Sequence, residues 1–93
     1  MRPFHLQIVT PSGTCYDGNV HEVTVPSIDG AVSILAGHIP YVTALGKGPC
    51  TVYALEGVLR GTCTGGMLTV TKEGVRVVTS VLVWDDKSGN TSR

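Results

Sequence analysis

Apolar side chains recur at every second position along most of this chain, and no window of useful length carries a helical stripe. Phe4, Leu6 and Ile8 share one face while His5 and Gln7 share the other. That alternation is the period of a half-buried strand. The pattern predicts further strands over residues 20–25, 31–35, 41–45, 50–55, 58–63, 67–71 and 75–84, the last being the longest. β-branched residues dominate this final run, and they suit an extended backbone better than a helix. Turn signals separate the runs: Pro11-Ser12-Gly13, Asp17-Gly18, Asp29-Gly30, Glu56-Gly57, Gly65-Gly66 and Lys72-Glu73-Gly74. Gly37-His38-Ile39-Pro40 breaks the chain, and Gly46-Lys47-Gly48-Pro49 reads as a loop. Short strands at regular spacing with Gly-rich turns imply an all-β sandwich or barrel. Residues 1–84 form one domain, and the polar, aperiodic residues 85–93 read as a flexible tail.

Charge and cysteine usage narrow the functions open to such a domain. Seven basic residues balance seven acidic ones. Phosphate recognition needs a concentrated basic surface, so nucleic acid is not an expected partner. No apolar run is long enough to cross a bilayer as a helix, and the first residues lack the apolar stretch of a secretory signal. Cys15, Cys50 and Cys63 are odd in number and widely spaced. They are expected as reduced, mostly buried thiols of a cytosolic protein and not as a disulfide framework.

Chemistry-bearing patterns are weak. His5, Cys15, His21, His38, Cys50 and Cys63 stand alone, without the paired spacing of a zinc site, so no metal is expected. Cys63 in Cys63-Thr64-Gly65-Gly66 could act as a nucleophile with His38 as base. Nothing in the sequence specifies the oxyanion pocket or orienting group that such a minor hydrolase needs. Gly65-Gly66 leads into the strand-like Met67-Leu68-Thr69-Val70 and not into a helix, which argues against a phosphate loop. The carboxylates show no acid–base pairing motif. A lipoyl or biotinyl carrier domain has this size, but no Met-Lys stands at a hairpin tip. The stretch 31–36 is apolar on both faces, and reads equally as a buried strand or as a surface that a partner covers.

An ordered set of segments is similar to one family. Phe4-His5-Leu6-Gln7-Ile8-Val9-Thr10-Pro11-Ser12-Gly13 resembles the first strand and turn of the epsilon subunits of F-type ATP synthases. Asp17-Gly18 with Val20 resembles the family's step into its next strands. Gly30-Ala31-Val32-Ser33-Ile34-Leu35-Ala36-Gly37-His38-Ile39-Pro40 resembles its hallmark, in which Gly precedes an Ile-Leu pair and then Gly-His-x-Pro. Thr64-Gly65-Gly66-Met67-Leu68-Thr69-Val70 and Val75-Arg76-Val77-Val78 resemble its later strands. Ser33 stands where the family usually has Gly.

The resemblance implies a flattened β-sandwich of about ten strands in two sheets, here without the family's C-terminal helical hairpin. It implies a non-catalytic rotor subunit of the central stalk with no cofactor and no small-molecule substrate. Such a subunit couples proton- or sodium-driven rotation of the c-ring to the gamma subunit, and so to ATP synthesis. It would sit peripherally on the cytoplasmic face of the inner (plasma) membrane without inserting. By matching positions, Thr10, His38 and Thr43 would contact gamma, and Asp29, Gly30 and Ala31 would contact the c-ring loops. Gly37, Pro40, Gly65 and Gly66 would shape structural turns. The alternatives are a β-sandwich interaction module for another partner and the minor Cys/His hydrolase.

Overall fold

The computed structural model describes residues 3–37 and 39–85, so the expected tail lies outside the described residues apart from Asp85. Seven strands account for the regular structure of the described residues: β1 Phe4–Thr10, β2 Gly13–Ser27, β3 Gly30–Leu35, β4 Tyr41–Ala54, β5 Gly57–Thr71, β6 Gly74–Val78 and β7 Val81–Trp84. They form one sheet in the order β1-β6-β5-β4-β2-β3, with β7 on β5. A further β1–β2 pairing closes the sheet on itself. The domain is therefore all-β, and it is a closed, barrel-like sandwich of seven strands. The expectation of ten strands in two sheets is not met.

The difference has a physical cause. β2, β4 and β5 run for 15, 14 and 15 residues, longer than the usual strand. β2 and β5 change partner along their length, while β4 stays paired with β5 from end to end. β2 pairs with β1 through residues 13–20 and with β3 through residues 22–27. β5 pairs with β7 through residues 61–64 and with β6 through residues 67–71. Signals that read as chain breaks are instead bends within these strands.

Asp17-Gly18 is one such signal. It lies inside β2, with Gln7 opposite Asp17 and Leu6 opposite Gly18. Gly46-Lys47-Gly48-Pro49, expected as a loop, lies within β4. On one side β4 stays paired with β5 through Lys47↔Thr64 and Pro49↔Thr62. On the other, β2 passes from Thr24↔Thr51 to Ser27↔Leu45, so a few β4 residues are left over as a bulge. Pro49 has no N–H to give a ladder, and a bulge is one of the few places in a sheet that accepts it.

The run 75–84 is not one strand either. It divides at Thr79, which turns inward and is almost fully buried. Its Oγ1 donates to the Gly65 carbonyl at 2.6 Å, and its N–H donates to the Val9 carbonyl at 3.0 Å. Gly65 and Gly66, expected as a turn, sit within β5 opposite this division.

One core fills the closed sheet. Leu6 and Ile8 of β1 face inward with Val75 and Val77 of β6, Leu68 and Val70 of β5, and Val23 and Val25 of β2. Val20, Ile34, Leu45, Val52, Cys50 and Cys63 complete it. Every strand from β1 to β6 thus contributes its alternate residues, as the period of two requires. Of the apolar stretch 31–36, Ile34 is buried and Val32 half-buried, while Ala31, Ser33 and Leu35 are exposed. The stretch is an alternating strand and not one buried on both faces.

Gly66 is the backbone position that this packing constrains most. Its φ is +121°, and a Cβ there would overlap the Val78 carbonyl oxygen. Gly13 has φ +132° but open space around it. Gly66→Ala is expected to cost about 3 kcal/mol or to prevent folding, whereas Gly13→Ala costs about 1 kcal/mol. Urea unfolding of the two variants checks the order. Equal losses would contradict the close approach of β5 and β6.

Candidate interaction surfaces

The cysteines are sealed. Cys50 of β4 and Cys63 of β5 are 1% and 0% exposed. They lie on the inner face of neighbouring strands, opposite Gly61 and Gly48 respectively. Burial pushes the Cys50 thiol up to about 12, with the nearby Cys63 adding to the rise. Burial also pushes Cys63 up, against a smaller opposing effect from its hydrogen bond with Thr79. A nucleophilic cysteine needs access and a lowered pKa. Cys63 has neither, so its reading as a nucleophile in a turn is overturned. His38, its expected base, lies outside the described residues. Cys15 is half-buried, and its thiol contacts Thr10 Oγ1 at 3.8 Å. Among the described residues, no three His, Cys, Asp or Glu side chains come together as a metal site.

His5 and Asp17 meet across β1 and β2 at 2.5 Å, each about half exposed. The register places them diagonally on the ladder, so the pair links the two strands whose pairing closes the sheet. Beside it, β2 and the β4–β5 turn line a groove that holds Tyr16, Leu55, Val58 and Leu59. Burial, and secondarily the Glu56 carboxylate, raises the Tyr16 phenol above its ordinary value.

The expected contact residues fall in two places. Thr10 ends β1 at the β1–β2 turn. Its Oγ1 accepts the Ser12 N–H at 3.2 Å and lies 3.4 Å from the Gly13 carbonyl, so its side chain is engaged in holding the turn. Thr43 is half-buried in β4 opposite Leu68. In the order β1-β6-β5-β4 these two strands are three spacings apart, about 14 Å. Asp29, Gly30 and Ala31 stand together, all exposed, at the tip between β2 and β3. The Ser27 hydroxyl fixes that tip by donating to the Gly30 carbonyl at 2.6 Å and accepting the Asp29 N–H at 3.1 Å. Gly37 takes φ +84° in the turn after β3, and Pro40 is exposed just before β4.

A surface that the sequence pattern did not reveal joins these places. Val9 pairs with Val78, Val78 with Met67, and Met67 with Ala44. The Ile28 N–H then donates to the Ala44 carbonyl at 3.1 Å. Val78, Met67 and Ile28 are 43%, 44% and 67% exposed. These five residues form an apolar band on the outside of the sheet. It starts beside Thr10 and ends at the tip that carries Asp29. Four strand spacings give it a length of roughly 19 Å. Val42, two residues from Ala44 on the same strand, widens it. The signal lay in residues out of phase with the core, such as Val78 directly after the buried Val77. Alternation alone could not say that such residues lie side by side.

Fold and surfaces together define an all-β domain with sealed core cysteines and an exposed apolar band across its outer face. Residues 3–85 match the family described as ATP synthase, Delta/Epsilon chain, beta-sandwich domain, and the chain belongs to that family. It is 33% identical to the ATP synthase epsilon chain of Nitrobacter winogradskyi over 81 residues, which are 87% of this chain and 60% of that protein. It is 29% identical to the ATP synthase epsilon chain of Caldanaerobacter subterraneus over 87 residues, 92% of this chain and 63% of that protein. The chain thus spans about three fifths of the length of these curated relatives. Its fold is shared by a chain in the Euglena gracilis mitochondrial ATP synthase structure of OSCP, F1 and c-ring. The TM-score there is 0.81 at 24% identity, covering 88% of this chain and 53% of the other. A chain of the Tetrahymena thermophila mitochondrial ATP synthase central stalk and c-ring gives 0.73 at 16% identity, covering 88% and 66%.

The sealed thiols predict a pH dependence. Cys50 titrates near 9 when unfolded and is pushed up to about 12 when folded, so between these values the folded state holds the extra proton. Stability is therefore complete below pH 9 and falls as pH rises from 9 towards 12. Unfolding free energies measured over that window should decline, and Cys50→Ala should flatten the decline. An unchanged slope in the variant would contradict the assignment.

Proposed function

We propose that this chain is a non-catalytic subunit of the central stalk of an F-type ATP synthase. It couples rotation of the c-ring, driven by proton or sodium flow, to the gamma subunit and thereby to ATP synthesis. The observation that carries this reading is the exposed apolar band. Contiguous apolar surface of this kind marks a protein–protein contact. The band runs from the neighbourhood of Thr10 to the Asp29 tip, the two regions in which the resemblance puts gamma and the ring. Gamma would cover the band with Thr10 and Thr43 near its margins, and on the resemblance alone His38 joins them. Asp29, Gly30 and Ala31 would meet the polar loops of the ring. The complex would lie peripherally on the cytoplasmic face of the membrane.

The mechanical requirement is stiffness. Torque passes from ring to gamma without loss only if the joint does not shear. A sheet closed on itself around a close-packed core deforms little, because its strands have few free edges and its interior few voids. The exposed tip is fastened to that body by the Ser27 hydroxyl and by the Ile28–Ala44 backbone bond. The domain itself then performs no bond chemistry.

Size-exclusion chromatography with the gamma subunit of the same source tests this reading. A one-to-one complex is expected. Met67→Asp and Val78→Asp should each weaken it by about tenfold or more while leaving the fold intact, since they place a charge in a desolvated contact. Val83→Asp, exposed on β7 away from the band, should leave it unchanged. Separate elution of the unaltered chain would overturn gamma docking, and equal effects of all three variants would overturn the band as its site.

A further inference from the structure

β3 is the end of the sheet order, paired with β2 on one side only. The direction of its backbone groups follows from the hairpin. Ser27 pairs with Gly30 across the two-residue turn Ile28-Asp29. The closing pair of such a hairpin is a hydrogen-bonded one, and the classes alternate from there. Val25↔Val32 and Val23↔Ile34 are then hydrogen-bonded pairs, while Pro26↔Ala31 and Thr24↔Ser33 are not. Two facts agree with this phase. Pro26 has no N–H, so it cannot sit in a hydrogen-bonded pair. The Thr24 and Ser33 hydroxyls lie 2.9 Å apart, as fits the closer side chains of the second class. The N–H and C=O groups of Ala31 and Ser33 therefore point away from β2. Among the described residues, no backbone hydrogen bond from another element reaches them.

Proteins usually guard such an edge with charge, proline or a bulge. This edge has none of the three. No charged residue or proline occurs from Gly30 to Gly37, and the six β2–β3 pairs run without a register shift.

We propose that this edge pairs with the same edge of a second copy of the chain. The strands run antiparallel about a two-fold axis at Val32, with Ala31 opposite Ser33 of the other copy. This register uses the outward groups of both residues in both chains and forms four backbone hydrogen bonds. A two-fold axis brings residues of one patch against that same patch. Here the self-apposed patch is neutral and small, with Val32 against Val32 and Ala31 against Ser33, so neither like charge nor bulk opposes it. The contact is limited in size. A six-residue strand per copy is well below the roughly 20–30 residues a side of a stable interface, so the dimer is weak and fills only at high concentration. The inference does not depend on the stalk reading.

Sedimentation equilibrium of the free chain at up to about 1 mM, the weak end of the affinity scale, tests it. The mass should rise with concentration from 9.8 kDa towards twice that value. Ser33→Pro removes an outward N–H and no bond to β2, and should abolish the rise. Ser33→Ala keeps the N–H and loses only the hydroxyl contact with Thr24, and should dimerise like the unaltered chain. Amide exchange of the unaltered chain supplies a second readout should Ser33→Pro fail to fold. Ala31 and Ser33 amides should become protected as concentration rises, while Val32 and Ile34 stay protected throughout. A constant mass of 9.8 kDa, a Ser33→Pro chain that dimerises normally, or concentration-dependent protection elsewhere than Ala31 and Ser33 would each overturn the proposal.

Discussion

The architecture depends on β1 having two partners. It runs antiparallel to β2 and parallel to β6, so a seven-residue strand bridges β6 and β2 and closes what would otherwise be an open sheet. Its inward residues make that closure favourable. Leu6 and Ile8 are completely buried, and they meet Val75 and Val77 through the β6 register. An open sheet of this size would leave one apolar face to water. Closure covers it without help from a helical layer, and it leaves β3 as the edge that lies outside the closed ring.

Closure also determines what the outside of the domain can present. Each ladder pair that sets a core row sets the opposite row one residue along. Leu68↔Val77 is buried, so Met67↔Val78 is exposed beside it. The strand residues of the outer band are thus held to the same register as the core, and Ile28 alone of the five lies in a turn. For a subunit proposed to transmit torque this is the relevant property, because a contact surface carried on a close-packed closed sheet yields little under load. The tip at Asp29 projects from the far end of that band, so the proposed stalk subunit has a pair of working faces at a fixed separation.

Much of this was legible in the sequence, and the limits have physical reasons. The alternation of Phe4, Leu6 and Ile8 gave β1, and the alternate residues of 75–78 gave β6, because burial on one side leaves a period of two. Strand continuity was not legible. Asp17-Gly18, Gly46-Lys47-Gly48-Pro49 and Gly65-Gly66 carry the composition of turns, and here they supply bends and bulges in strands whose other edge stays paired. Gly48 is favoured beside the Pro26 ring, whose Cβ a side chain there would meet at 3.0 Å. Gly66 is needed because Val78 passes so close. These are tertiary requirements, and a local reading converts each into a break and so multiplies the strands. The residues taken from family resemblance separated in a similar way. Asp29, Gly30 and Ala31 do stand together at one tip, since they are neighbours in the chain. Thr10 and Thr43 come from strands three spacings apart, and what connects their surroundings is a row of side chains that only strand order brings side by side.

The most direct test of the central claim is the accessibility of Met67, which lies in the middle of the band. Its rate of oxidation by dilute peroxide would be measured by mass spectrometry in the free chain and after addition of the gamma subunit. A side chain 44% exposed should oxidise readily when free, and slow by about tenfold or more once a desolvated protein contact covers it. An unchanged Met67 rate in a demonstrated complex with gamma would show that gamma docks elsewhere, and would contradict the account.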